Sequence, residues 1–189
     1  MAVRSNFKNM TLCLMVIGLV CSALLAFVNQ FTQEPIAAAQ EKKTLDALKK
    51  VMPDFEQVSE SEIEYEGQNY HCYKALSDTT VVGYAVVSSA MGFGGPLELM
   101  VGFDAQGVVW NTSVLAMNET PGLGAKCTET DFQSQFEKFD PAVRSLAVTK
   151  DGGEIDAITA STITSRAYVQ AVSNAYKLIQ HIKGGQCHE

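Results

Sequence analysis

The chain has 189 residues, 47% of them hydrophobic, and a formal net charge of -7. That length fills one good core, and the acidic balance excludes nucleic acid as a natural partner, because its phosphates would be repelled. Five cysteines, an odd number with no C-x-x-C spacing, indicate neither a disulfide framework nor a metal site.

No charged residue falls between Lys8 and Glu34, and residues 10–28 are almost wholly apolar. At about 1.5 Å per residue, such a helix crosses a hydrocarbon core of roughly 30 Å. A cleaved signal peptide competes, with Ala37-Ala38-Ala39 as its small-residue site. Against it, the apolar run outlasts an h-region of about 7–15 residues, and the alanines lie beyond Pro35. The reading is therefore a short cytoplasmic stretch at 1–9, a retained transmembrane helix at 10–31 and a stalk helix at 32–53. Cys13 and Cys21 are small residues of the membrane helix. Arg4 and Lys8 flank it closely on one side, while Lys42, Lys43, Lys49 and Lys50 lie further off among acidic residues. The nearest flanks favour N-inside, which places residues 54–189 outside the cytoplasm.

In the stalk, Leu45, Leu48 and Met52 recur at helical spacing and Pro53 stops the helix. The period then changes to two. Ile63 and Tyr65 alternate with glutamates, Glu66 to Asn69 turns the chain, and Tyr70 and Cys72 begin a return strand. Residues 81–89 read as a central strand, and Gly92-Phe93-Gly94-Gly95-Pro96 forbids regular structure after it. Leu97, Leu99, Val101 and Phe103 share one face of the next strand, Asp104 to Gly107 turns, and residues 108–117 return.

A loop follows, Asn118-Glu119-Thr120-Pro121-Gly122-Leu123-Gly124-Ala125-Lys126, which is either a plain connection or a wall of a binding site. Residues 128–139 predict a short helix with Phe132, Phe136 and Phe139 on one face and capping-box spacing from Thr128 to Asp131. Residues 145–149 and 154–158 flank Asp151-Gly152-Gly153, a hairpin signal. Then comes a run dense in hydroxyls, with Thr159, Ser161, Thr162, Thr164 and Ser165. Such a run before a helix is an ordinary cap or an anion site, since free backbone N–H groups and the positive dipole end converge there. The long C-terminal helix carries Tyr168, Ala171, Val172, Ala175, Leu178, Ile179 and Ile182 as one apolar stripe, closed by Gly184-Gly185. Cys187-His188 reads as part of a frayed tail. The fold class is α+β: a single N-terminal transmembrane helix, then an antiparallel-sheet domain with a long C-terminal helix.

Three loops in this order, Gly92 to Glu98, Glu119 to Gly124 and Asp156 to Ser165, resemble the periplasmic FMN-binding domain of a known pair of subunits. These are the G subunit of the Rnf ion-translocating oxidoreductase and the C subunit of the sodium-pumping NADH:quinone reductase. The resemblance covers nearly the whole chain. It implies FMN joined through its phosphate to a threonine by a separate flavin transferase that uses FAD and magnesium. The family's motif, laid from Asp156, ends on Thr162 as acceptor, with Ala160 where glycine is usual and Ser161 where alanine is usual. Ser161 and Thr164 are rival hydroxyls. Alanine at 160 disfavours a left-handed backbone, so either the loop is remodelled or the usual glycine never needed positive φ.

By the same resemblance, Thr159 and Thr164 hydrogen-bond the phosphate, with Ala160, Ser161 and Ile163 beside it, and Glu119, Thr120, Leu123 and Gly124 line the flavin. Asn118 stands where the family often has histidine, and Lys126 either offsets phosphate charge or is simply solvated. The resemblance also implies an inner-membrane, single-pass protein with its FMN domain in the periplasm. It would transfer electrons among the partner subunits of a ferredoxin:NAD oxidoreductase, with no independent active site. The short chain favours the G subunit; the C subunit and a membrane-tethered sensory or binding module on the same fold are the alternatives.

Overall fold

The computed structural model of the chain describes residues 7–65, 67–78 and 80–184. The flank with Arg4, Glu66 of the first turn, Gly185 and the Cys187-His188 pair lie outside these residues. Contacts divide the chain into two units, Met1–Lys43 and Thr44–Glu189.

The first unit contains most of α1 (Phe7–Val51), which runs unbroken across residues 31 and 32, where the sequence reading separates a membrane helix from a stalk, and on through Pro35. Proline costs a helix interior one backbone bond, which the turns on either side outweigh here. An 18-residue window of α1 reaches a mean hydropathy of 2.6 with none of it buried, so the helix is long and apolar enough to cross a membrane.

The second unit is built on a five-stranded antiparallel meander in chain order: β1 (Gln57–Tyr65), β2 (Gln68–Ser77), β3 (Thr80–Met91), β4 (Pro96–Asp104) and β5 (Val109–Ala116). Strand period decides its two faces. Leu97, Leu99, Val101 and Phe103 of β4 are fully buried in one core, and Met100, pointing the other way, is fully buried in a second. The larger core is closed by α3 (Thr162–Gly184), which buries Tyr168, Ala171, Val172, Ala175, Leu178 and Ile179. The smaller is closed by the last turns of α1, where Ala47, Leu48 and Val51 pack with Met52 on Ala75, Ala85 and Met100. Residues that read as the end of a stalk thus belong to the folded unit. The fold is α+β, as the sequence reading has it.

Two local expectations are corrected. Residues 128–139 do not form one capped helix. The chain makes a 3₁₀ turn (Gly124–Thr128), a single α turn α2 (Thr130–Gln133) and a second 3₁₀ turn (Ser134–Phe136). Thr128 Oγ1 donates back to the Ala125 carbonyl at 2.9 Å instead of capping, and Glu129 takes the cap position. Aromatic packing explains the irregularity: Phe132 and Phe136 set their rings 5.1 and 4.9 Å from that of Tyr168, which a straight helix would not place so well. The hairpin around Asp151-Gly152-Gly153 is also absent. Val148 and Ile155 form an isolated parallel bridge, and a 3₁₀ turn (Thr149–Asp151) ends on Gly152 with φ +84°. Gly153 N then donates to the Val148 carbonyl at 3.1 Å, folding the chain back too tightly for paired strands.

Candidate functional site

The loop between β3 and β4 closes on itself where Gly92 N donates to the Gly95 carbonyl at 2.8 Å. It lies hard against the loop after β5. A Cβ at Gly94 would strike the Asn118 backbone carbonyl, so no side chain fits there, and one at Gly92 would have to displace the Glu119 carboxylate. Asn118 Nδ2 donates to the Gly94 carbonyl at 3.1 Å, which gives this residue a structural role in joining the two loops.

Glu119 is the junction of the three loops. Its Oε1 accepts from Phe93 N at 2.8 Å and its Oε2 accepts from Thr164 Oγ1 at 3.0 Å. A charged acceptor makes each bond stronger than a neutral one. Gly124 is held beneath the same carboxylate. Behind it, Cys127 is fully buried, and burial, with the Glu119 charge second, pushes its thiol up to about 11. A thiol so protonated is no nucleophile. Cys72 is likewise buried, and among the described residues no disulfide links it, Cys127, Cys13 or Cys21.

The hydroxyl-rich stretch is fixed from three sides. Gln135 brackets Asp156 with its side-chain amide, accepting from Asp156 N at 2.7 Å and donating to the Asp156 carbonyl at 3.3 Å. Ser165 is fully buried; its Oγ accepts from Ile158 N at 2.9 Å and donates to the Ser161 carbonyl at 3.0 Å. Ser161 O also takes the Ser165 backbone N–H at 3.0 Å, the first intrahelical bond of α3. Between these clamps Ala160 adopts φ +63°. The backbone is left-handed here although the residue is alanine, which is neither of the two possibilities the sequence leaves open.

Together the loops enclose a cavity of about 370 Å³, within the range of about 300–1,000 Å³ for small-molecule sites. Phe93 lines it from the first loop, Glu119, Thr120, Leu123 and Gly124 from the second, and Ala160, Ser161, Thr162, Ile163 and Thr164 from the third. Thr159 is exposed and is not among these lining residues. The three candidate acceptor hydroxyls differ in access. Thr164 is 1% exposed with its proton committed to Glu119, and Ser161 is 7% exposed, whereas Thr162 is only half-buried. Thr162 Oγ1 accepts from Lys150 Nζ at 3.2 Å. Lys126 is exposed and outside the cavity lining, and the cation beside Thr162 is Lys150.

Sequence reasoning misses Lys150, Ser165 and Gln135 as site-building residues. Lys150 and Gln135 have no periodic relation to the loops they support, and Ser165 reads as one more hydroxyl in a crowded run. Phe93 does carry a signal, a lone aromatic among glycines.

Known proteins resemble this chain in sequence and in fold. The FMN-binding domain family matches residues 92–177, and the RnfG N-terminal region family matches residues 1–51. The chain is 34% identical over 177 residues to the G subunit of the ion-translocating oxidoreductase complex of Methanosarcina acetivorans, covering 90% of this chain and 93% of that one. It is 37% identical over 194 residues to the protein of the same name in Shewanella loihica, covering 89% and 87%. The G subunit of the Na(+)-translocating ferredoxin:NAD(+) oxidoreductase complex of Acetobacterium woodii is 31% identical over 187 residues, covering 90% of each. Among solved structures, the C subunit of the Na(+)-translocating NADH-quinone reductase from Parabacteroides distasonis shares the fold, with a TM-score of 0.50 and 20% identity over 70% of this chain and 78% of that one.

Proposed function

The chain belongs to the family of G subunits of ion-translocating oxidoreductase complexes, and on that footing we propose that it carries FMN on Thr162, through a phosphoester, as an electron-transfer subunit of a membrane-bound ferredoxin:NAD oxidoreductase. The observation that carries this reading is the convergence of the three loops on one cavity, with the most accessible of its candidate hydroxyls, Thr162, beside a cation. The residues present suit the cofactor. Phe93, Leu123 and Ile163 line the cavity, each keeps a large exposed fraction, and together they offer apolar and aromatic surface to a flat ring. The first N–H groups of α3 and Lys150 offer positive potential to a phosphate at Thr162. FMN, when attached, supplies the redox chemistry. What the chain does is position it: Glu119 holds the loops in register, and Ser165 and Gln135 hold the stretch that presents the acceptor.

The remaining parts of the proposal are topological. Residues 10–31 anchor the chain in the inner membrane, and the domain faces the periplasm among the partner subunits of the complex. A separate transferase supplies the flavin. No nucleophile and base pair of the chain's own is required for this role.

The test is co-expression with a flavin transferase, followed by a denaturing gel viewed for flavin fluorescence. The expected result is a fluorescent wild-type band and a dark Thr162→Ala band. Fluorescence that persists in Thr162→Ala overturns the attachment site, and a dark wild type overturns covalent attachment altogether.

A further inference from the structure

The turn that carries Lys150 is tied to α3 by its next residue. Asp151 takes a bidentate pair from Arg166, with Nε and Nη2 each at 2.7 Å. Thr162 and Arg166 are four residues apart in α3, hence on one helix face, and Lys150 and Asp151 are consecutive in the 3₁₀ turn. The two contacts clip that turn to the start of α3 in a single register. The turn is secured from its other side by Thr149 N, which donates to the Ile155 carbonyl at 2.8 Å. The Arg166 hydrogen bonds and charge hold the Asp151 carboxyl below the usual carboxylate range, so the clip is ionised near neutral pH.

We propose that Lys150 acts on the acceptor oxygen during flavin attachment and serves as the counter-ion of the finished phosphodiester, a role that rests on the reading that Thr162 carries the FMN. An ammonium can only donate hydrogen bonds. Thr162 Oγ1 therefore accepts from Lys150 and keeps its own proton free for removal. In the transfer, the Thr162 Oγ1–phosphorus bond forms as the pyrophosphate bond of FAD breaks. The electron pair of the broken bond leaves on the oxygen of AMP, and the Thr162 proton passes to a base of the magnesium-dependent transferase. No group is oxidised or reduced. Negative charge develops on Oγ1 as its proton departs, and Lys150 lies at hydrogen-bond distance from that atom. Afterwards the diester keeps one negative charge beside the same ammonium. The side chain is exposed, so solvent screens part of the effect.

The experiment follows flavin addition to the full-length protein in detergent, using purified transferase, FAD and magnesium, by timed intact-mass measurement. Wild type, Lys150→Met, Lys150→Arg and Thr162→Ala are compared, with thermal melts of each. Lys150→Met is expected to lower the maximal rate by about tenfold, with the acceptor-protein KM little changed, because the charge acts at the reacting atom and not in docking. Lys150→Arg, which keeps charge and donor, is expected to recover most of the rate. Wild-type rates in Lys150→Met, with Thr162→Ala blank, overturn the lysine proposal alone. A rate lost equally in Lys150→Arg and Lys150→Met, or a loss in KM only, also overturns it. Flavin on Thr162→Ala, or none on wild type, overturns the attachment reading and this inference with it.

Discussion

Ala160 carries a conformation that its side chain resists. At φ +63° its Cβ crowds the carbonyl oxygen, a cost of roughly 1–2 kcal/mol that glycine escapes. The buried Ser165 latch, with its bonds to Ile158 and Ser161, over-determines the turn and holds it there. Replacing Ala160 with glycine is expected to stabilise the protein by about 1 kcal/mol, read as a higher urea midpoint at unchanged slope. A midpoint that falls would show that the turn is not strained. The sequence makes this position visible as a departure from a motif but leaves its backbone angle open, because only the clamps on either side decide it. Glu119 is similarly half legible. Its place in the Glu-Thr-Pro-Gly-Leu-Gly loop marks it as a lining residue, yet nothing in the order of residues reveals that its two oxygens join Phe93 and Thr164. Thr164, expected beside the phosphate, donates its proton to that carboxylate.

The elements legible in the sequence are those whose burial is periodic. The alternation in β4 and the stripe on α3 each repeat, and a repeat is what one-dimensional reading detects. Phe132 and Phe136 also repeat at helical spacing, yet both pack on Tyr168 of a distant element, and there packing overrides helix regularity. The end of α1 is a third case. Its spacing announces a helix, but not that Leu48 and Val51 are 2% and 0% exposed against the sheet. Gly102 shows how close that contact is, since a Cβ there would enter the Val51 carbonyl. A chain begun at Thr44 keeps this cap and is expected to unfold cooperatively as a stable domain. A chain begun at Asp54 exposes Ala85 and Met100 and loses the burial of Leu48 and Val51. It should be less stable by at least about 3 kcal/mol, from about 1.5–3 kcal/mol per buried side chain. Equal denaturant midpoints for the two would refute the capping role.

Stability of the folded protein as a unit should depend on alkaline pH. Burial raises the Cys127 thiol from 9.0 to about 11, and burial, with Glu60 hydrogen-bonded to it, raises the Tyr73 phenol from 10.0 to about 12. Tyr168 is raised further by burial. Each group binds its proton more tightly folded than unfolded. Their contribution is therefore intact below about pH 9 and is lost as pH rises through the folded values, first that of Cys127 and then that of Tyr73. Denaturant midpoints should be level to about pH 8.5 and fall above it, and Cys127→Ala should flatten the part of the fall between about pH 9 and 11. A wild-type midpoint unchanged up to about pH 11 would contradict this.

The order of the chain adds a consequence in time. Within the sheet, β1 to β5 lie in chain order, each beside its sequence neighbour, so the sheet can assemble from local contacts as synthesis proceeds. The start of α3, which carries Thr162, comes after all of them, and the same helix closes the larger core. Thr162 Oγ1 thus takes its place beside Lys150 only when α3 docks. On the proposed reading, a chain stalled short of α3 would stay unlabelled.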